Sequence, residues 1–182
     1  MEGSDEQLML AYRDGDAAAF EALYVRHRGA LFRFIARSVR ERALAEEIYQ
    51  DIWMRVIEAR RRYQPQARFT TWLYTIAHNR LVDHWRRSAL HAVSLDDDEA
   101  PLAEPAGNPG LEPQRQAQAR EGLARLAQAI GTLPPAQREA FLLRVEAGLG
   151  IEEIARATGA NEEAVKSRLR YALAKLRETL DD

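Results

Sequence analysis

Residues 69–87 read FTTWLYTIAHNRLVDHWRR and place aromatic, basic and amide side chains within one short segment. The segment contains two Trp, one Phe, one Tyr, three Arg and two His, but its only acid is Asp83. Aromatic rings can stack on bases while guanidinium groups neutralise phosphates, so this composition is typical of a nucleic-acid-binding surface. A buried helix with a hydrated basic edge has a similar composition. Both interpretations are open on the residues alone.

The two interpretations differ in the role they give to the apolar residues of this helix. If the helix is buried, its apolar side chains form core, and they are Trp72, Leu73, Ile76, Leu81 and Trp85. A second face carries Asn79, Asp83, Arg86 and Arg87, and its amide and guanidinium groups can hydrogen-bond to base edges or phosphates. The segment from Tyr63 to Thr71 predicts a loop able to hold an unstacked base. Thr70 or Thr71 is expected to cap the helix.

A second basic cluster lies in GIEEIARATGANEEAVKSRLRYALAKL, residues 150–176. A helix-turn-helix motif has a small residue, a glycine four positions later and an apolar residue six positions after the glycine. Ala155, Gly159 and Val165 satisfy this spacing. The second helix starts near Asn161. Its polar side chains lie away from its apolar stripe, and the candidates for DNA contact are Asn161, Lys166, Ser167, Arg168, Arg170 and Lys175. The motif predicts that this helix enters a major groove. An amphipathic hairpin with a hydrated basic face is the alternative.

A third candidate surface lies in AEEIYQDIWMRVIEARRRY, residues 45–63. Apolar side chains recur on one face of this helix, at Ile48, Ile52 and Val56. The opposite strip then presents Glu47, Gln50, Asp51 and Met54. A methionine among polar groups on an outer surface suits a protein partner, although such a strip can also be a plain hydrated face.

The composition excludes several classes of function. The chain has no cysteine, so it can form neither disulfides nor thiolate metal sites. His78 and His84 are six residues apart and fall on different faces of a helix, which argues against a paired metal site. The sequence contains no phosphate-binding loop and no GxSxG motif, so we expect no enzyme activity, no cofactor, no metal and no small-molecule substrate. The absence of a signal peptide or long apolar run predicts a cytoplasmic location.

Apolar residues recur at three- and four-residue steps, and no segment shows the alternation of a strand. We therefore predict an all-α protein with two small helical domains. The first is an N-terminal helical bundle of residues 5–87, and the second is a C-terminal helix-turn-helix domain of residues 113–182. Between them, residues 88–112 contain six acids, three prolines and no Lys or Arg, which predicts a flexible acidic linker.

In this order, the motifs resemble a bacterial RNA polymerase sigma factor of the extracytoplasmic-function group of the sigma-70 family. The resemblance extends from about Gln7 to Leu180. The stretches that carry it are EEIYQDIWMRV, FTTWLYTIAHNRLVDHWRR, LPPAQREAFLLR and IEEIA…TG…AVKSRLRYALAKLR.

The resemblance implies a role for each surface. The first lobe would bind the clamp helices of the largest polymerase subunit through Glu47, Gln50, Asp51 and Met54. It would also recognise and help open the −10 promoter element through Tyr63, Phe69, Thr70, Thr71, Asn79, Asp83, Arg86 and Arg87. The second lobe would contact the flap of the second subunit and read the −35 element through Asn161, Lys166, Ser167, Arg168, Arg170 and Lys175. Similar factors are commonly held inactive by an anti-sigma protein, often a membrane-bound one.

One departure from the family pattern concerns the start of the recognition helix, where many relatives have Gly-Thr and this chain has Glu163-Ala164. The acids Glu162 and Glu163 suit a helix N-terminus but repel nearby phosphates.

We also expect weak promoter binding by the free protein, because the relaxed linker falls short of the distance between the two elements. The rival interpretations are a two-domain regulator that binds an operator alone and a helical adaptor or anti-sigma-like protein.

Overall fold

The computed structural model describes residues 3–39, 41–91 and 113–181, and this part of the chain is built from α-helices without strands. An N-terminal lobe comprises α1 (Asp5–Arg13), α2 (Ala17–Ser38), α3 (Arg42–Ala59) and α4 (Phe69–His91). A C-terminal lobe comprises α5 (Pro113–Thr132), α6 (Pro135–Val145), α7 (Ile151–Thr158) and α8 (Glu162–Asp181). The predicted all-α fold is confirmed.

The predicted linker falls almost entirely outside the described residues. Its first four residues, 88–91, continue α4, and residues 92–112 lie outside the described part of the chain. Within the described ranges, no helix is both long enough and apolar enough to cross a membrane.

Local side-chain hydrogen bonds start the first two helices. At α1, Ser4 and Gln7 form a reciprocal capping box in which Ser4 Oγ accepts from the Gln7 backbone N–H at 3.2 Å. At α2, Asp16 Oδ1 accepts from the backbone N–H groups of Ala18 at 3.0 Å and Ala19 at 3.3 Å. Both caps satisfy N–H groups that the helix itself leaves without partners.

The start of α4 differs from the sequence expectation, because Thr70 and Thr71 lie inside the helix and do not cap it. Instead, the backbone N–H of Phe69 donates to Glu6 Oε1 of α1 at 2.7 Å. Burial on its own would raise the pKa of Glu6, but hydrogen bonds, foremost the one from Phe69, lower it. The cap is therefore a tertiary contact that ties α1 to α4.

The core of the N-terminal lobe lies between α2, α3 and α4. The predicted inward residues Ile48, Ile52 and Val56 are all buried. Phe34 of α2 meets Tyr74 of α4 edge to face, with ring centroids 5.2 Å apart. Each such side chain contributes roughly 1.5–3 kcal/mol by leaving water, so this core orients α3 and α4 relative to each other.

The C-terminal lobe has the helix-turn-helix geometry that its spacing predicts. Ala155 of α7 and Val165 of α8 are both buried, and α7 packs against α8. Gly159 lies between them with φ of 67°, a left-handed conformation that a glycine adopts without strain. The side chain of Asn161 then caps α8, since its Oδ1 accepts from the Ala164 backbone N–H at 2.8 Å.

The two lobes pack directly against each other, which the sequence did not predict. Helix α7 lies against α4, and α6 lies against α2. The contact places the helix-turn-helix beside the loop that precedes α4. The lobes are therefore docked in this structure and are not held apart.

Candidate nucleic-acid interface

Most aromatic residues around the start of α4 lie in the core. Phe69 has 0% of its surface exposed, and Tyr63 and Tyr74 are almost as deeply buried. The Phe69 ring centroid lies 6.4 Å from that of Tyr63 and 5.8 Å from that of Trp72. The structure thus favours the core interpretation for these rings. In this conformation Tyr63 and Phe69, which we predicted to contact DNA, have almost no surface open to a base.

A half-open cleft of about 450 Å³ lies beside these buried rings. The N-terminal lobe lines it with Arg62, Gln64, Gln66 and Trp72, which is only partly buried, and α7 of the C-terminal lobe adds Arg156. No carboxylate is among the described residues that line it. An unstacked base can pack against an indole while a phosphate meets a guanidinium group, so the cleft is chemically suited to single-stranded nucleic acid.

The predicted polar face of α4 is accessible. Asn79, Arg86 and Arg87 are exposed, and Asp83 is partly exposed with its Oδ2 3.8 Å from Arg55 Nη2. These four predicted residues share one side of the helix because they recur at three-, four- and seven-residue steps. The structure therefore brings them together on a surface that DNA can reach.

Neither of the two predicted threonines is freely accessible. Thr71 is 2% exposed, and its Oγ1 donates to Glu153 Oε1 at 3.2 Å. Thr70 is partly buried, and its Oγ1 has no hydrogen-bond partner. Burial alone would raise the pKa of Glu153, but the Gly150 N–H, the charge of Arg68 and the Thr71 hydroxyl lower it, so this carboxylate carries its charge at neutral pH.

The predicted polymerase-binding strip lies along the outside of α3. Glu47, Gln50 and Met54 are exposed, Met54 by 53%, and Asp51 is partly exposed. Arg80 of α4 is only 5% exposed, and it donates from Nε to Asp51 Oδ2 at 2.8 Å and from Nη2 to Glu47 Oε1 at 3.2 Å. Sequence reasoning missed this residue, because nothing in the spacing shows that an arginine of α4 reaches α3.

Replacing Arg80 with alanine should weaken both the fold and the strip. The pair is buried on one side only, so we expect the free energy of unfolding to fall by roughly 1–2 kcal/mol, less than for a fully buried pair. If the strip binds polymerase as the resemblance implies, loss of the arginine that orients Asp51 and Glu47 should also reduce polymerase affinity about fivefold, or roughly 1 kcal/mol. Denaturant unfolding and polymerase-binding titrations measure the two effects.

The matched control is Arg42→Ala. Arg42 forms an exposed pair with Glu46 on the same helix α3, at 3.0 Å. This change should alter stability by no more than about 0.5 kcal/mol and leave polymerase affinity unchanged. Equal effects of the two substitutions would contradict a positioning role for Arg80.

The residues predicted to read duplex DNA all lie on α8 or at its start. Lys166 Nζ lies 2.7 Å from Glu163 Oε1, and this hydrogen bond raises the pKa of Lys166. The Arg170 guanidinium lies 5.2 Å from the ring centroid of Tyr171. Arg168 and Ser167 are partly buried. The remaining predicted residues, Asn161 and Lys175, are exposed.

The sequence did not single out an apolar groove beside this basic face. Ile151 of α7 and Leu169 and Leu173 of α8 line a cleft of about 420 Å³, and Lys166 and Arg177 also border it. Leu173 is 45% exposed. The signal that could have revealed the groove is a leucine pair four residues apart within a basic helix.

Two family models match the chain, one on each lobe. The model described as Sigma-70 region 2 matches residues 23–90, which span α2 to α4. The model described as Sigma-70, region 4 matches residues 123–176, which run from α5 into α8. The matched ranges therefore cover the cleft, the strip on α3 and the helix-turn-helix.

Relatives match the chain over nearly its whole length. The RNA polymerase sigma factor CarQ of Myxococcus xanthus is 35% identical over 175 residues, which cover 96% of each chain. The ECF RNA polymerase sigma factor SigK of Mycobacterium sp. (strain KMS) is 30% identical over 182 residues, covering 95% of this chain and 89% of that protein.

Two solved structures have a similar arrangement of helices. CnrH, solved in complex with the cytosolic domain of CnrY, is 25% identical with a TM-score of 0.71 and 98% of each chain covered. The Bartonella quintana sigma factor RpoE, solved with the anti-sigma factor NepR, is 23% identical with a TM-score of 0.75. The match covers 89% of this chain and 96% of the RpoE chain. At this identity the likeness shows the fold alone.

Proposed function

Since the chain belongs to the extracytoplasmic-function group of bacterial sigma-70 factors, we propose that it binds core RNA polymerase and directs transcription initiation at promoters with −10 and −35 elements. It is an initiation factor and not an enzyme. The observation that carries the proposal is that region 2 and region 4 each fall on one helical lobe, in chain order, with a basic DNA-accessible face on both.

The strip on α3 is our candidate for the contact with the clamp helices of polymerase. Met54 offers an exposed apolar anchor, and Glu47, Gln50 and Asp51 surround it with polar groups. An exposed apolar side chain with a polar rim is the usual make-up of a protein interface. Arg80 of α4 donates hydrogen bonds to both carboxylates of the strip, Glu47 and Asp51, and holds them in place.

The N-terminal side of the cleft, with Trp72, Arg62, Gln64 and Gln66, and the polar face of α4 are our candidates for the −10 element. Asn79 and Arg86 can reach base edges or phosphates, and Trp72 can stack on an extruded base. Tyr63 and Phe69 support the loop from the core, so we assign them a positioning role and no direct contact. The N-terminal side of the cleft thus combines the indole of Trp72 with the exposed guanidinium group of Arg62.

Helix α8 is our candidate for reading the −35 element in duplex DNA. Its N-terminal half carries Lys166, Ser167 and Arg168, the residue types that contact phosphates and guanine edges in a major groove. Because Glu163 holds Lys166 in the free protein, this lysine must exchange a carboxylate for DNA on binding. Glu162 and Glu163 therefore reduce the affinity of the helix for phosphates near its start.

We also infer that an anti-sigma factor regulates the protein in the cytoplasm. Two structural neighbours were solved with protein partners: CnrH with the cytosolic domain of CnrY, and RpoE of Bartonella quintana with the anti-sigma factor NepR. In this chain, the groove between α7 and α8 has apolar walls bordered by Lys166 and Arg177. An acidic amphipathic helix would fit this groove and would cover the DNA-reading face at the same time.

Transcription with purified components tests the proposed function. Core polymerase, genomic DNA and this chain should together yield transcripts with defined 5′ ends, and neither protein alone should yield them. Sequence-specific duplex binding without polymerase would instead indicate an operator-binding regulator. If the chain neither supports transcription nor binds DNA, it is an adaptor.

A further inference from the structure

A glutamate of the C-terminal lobe occupies the loop that we assign to the −10 element. Glu153, at the start of α7, places Oε1 3.3 Å from Arg68 Nη1 and 3.2 Å from Thr71 Oγ1. Both partners belong to the N-terminal lobe, immediately before and within α4. The carboxylate thus engages hydrogen-bond donors that a promoter phosphate or base would otherwise use.

Two more glutamates make similar contacts along the same boundary. Glu146 accepts from Arg33 Nε at 2.7 Å and also from Arg37 Nη1. Glu139 Oε1 lies 2.7 Å from His78 Nδ1. The side chains of both glutamates are less than 10% exposed, at 8% and 7%. Because the glutamate of each pair is shielded from water, salt screens these pairs less than fully exposed ones, so together they can hold the lobes in contact.

The docked arrangement cannot serve both promoter elements at once. Two duplex sites about two helical turns apart are separated by roughly 70 Å, at 34–36 Å per turn. In the docked protein, α7 of the helix-turn-helix touches α4, and Thr71 is inaccessible. The chain from His91 to Pro113 can span at most roughly 70–80 Å when fully extended, so its length permits separation.

We propose that Glu139, Glu146 and Glu153, with their N-terminal partners, form an interlobe latch that keeps the free protein closed and blocks its own −10 surface. The inference rests on the proposed function, because it concerns regulation of the same DNA-binding site. Polymerase binding separates the lobes, since it must place them a promoter spacing apart. The latch also predicts weak promoter binding by the free protein, the same outcome that linker length alone predicts.

The strength of the latch suits reversible opening. The tether gives each lobe an effective concentration of about 1 mM at the other, so a modest interface suffices to close it. Arg68 is 64% exposed and Arg33 is 54% exposed, so both become hydrated readily once the glutamates leave. A closed fraction of about nine-tenths would lower the apparent DNA affinity about tenfold.

Energy transfer between the lobes tests the latch in the full-length protein. Because the chain has no cysteine, Val25→Cys and Leu180→Cys provide one labelling site on an exposed position of each lobe. The test variant combines Glu146→Gln with Glu153→Gln. The amide oxygen of the new residue at position 153 can still accept from the Gly150 backbone N–H and so cap α7. We expect lower transfer efficiency and about tenfold tighter binding of a single-stranded −10 oligonucleotide than in the parent.

The matched control is Glu121→Gln with Glu152→Gln, which removes the same charge from exposed positions of the same lobe. Glu152 precedes Glu153 but pairs only within its own helix, with Arg156 at 3.2 Å. This control should keep the transfer efficiency and DNA affinity of the parent. A charge swap provides a second check: Glu146→Arg should open the protein, and adding Arg33→Glu with Arg37→Glu should close it again.

The outcomes separate the latch from the proposed function. Unchanged transfer in the test variant, or opening without tighter oligonucleotide binding, would overturn the latch, even if every variant still supports transcription with core polymerase. Opening with tighter binding in the test variant but not in the control supports it. If no variant or parent protein supports transcription, the proposed function fails, while the energy transfer still reports whether the lobes are latched.

Discussion

Replacing Phe69 with alanine is expected to lower the free energy of unfolding by about 3–5 kcal/mol. The ring has no exposed surface and packs against Tyr63, Trp72 and His27, whose ring centroid lies 5.2 Å away. Its removal leaves a cavity at the junction of α1, α2 and α4. Chemical denaturation of the full-length protein measures the loss.

The control for this prediction is Asn79→Ala on the exposed face of the same helix. It should change stability by no more than about 0.5 kcal/mol and should instead weaken −10 oligonucleotide binding. The pair of variants separates the two interpretations of residues 69–87. A Phe69→Ala protein of normal stability with a selective loss of DNA binding would show that the ring contacts DNA after all.

Replacing Arg168 with alanine is expected to reduce discrimination at the −35 element by roughly 1–3 kcal/mol, or about 5- to 150-fold. Arg168 lies in the second turn of α8, which should place it near the floor of a major groove. A bidentate contact to a guanine edge is the main source of such discrimination. Transcription by the reconstituted polymerase on promoters with single −35 substitutions measures the change.

The charge-matched control is Arg120→Ala, which removes an exposed cation from α5 outside the recognition helix. It should leave the preference among −35 sequences unaltered. A uniform loss across all sequences in Arg168→Ala, with a shallower salt dependence, would indicate that Arg168 binds a phosphate. That result would contradict base reading by this side chain.

Helical periodicity predicted the framework of both lobes because burial of one face is a local property of the sequence. Ile48, Ile52 and Val56 are four residues apart, and all three are buried. The helix-turn-helix is equally local, since Gly159 needs only its own backbone to make the turn. Resemblance to a known family then supplied the roles of the exposed residues, which periodicity alone leaves open.

Contacts between distant residues could not be predicted in this way. Thr70 and Thr71 are chemically suitable caps, yet Glu6 caps α4 from another helix. Arg80 carries the same charge as Arg86 and Arg87, and only the packing of α3 on α4 shows that it holds Asp51. The role of an aromatic residue cannot be predicted from its type for the same reason, because an aromatic side chain suits both stacking on a base and burial in a core.

The amino-acid order alone therefore specifies the helices, their apolar faces, the turn at Gly159 and the family to which the chain belongs. The docking of the lobes, the pairing of Glu153 with Arg68 and the burial of Phe69 depend on how those helices meet in space. The physical reason is range: capping, turns and periodicity act within a few residues, whereas ion pairs and burial join groups up to 113 positions apart.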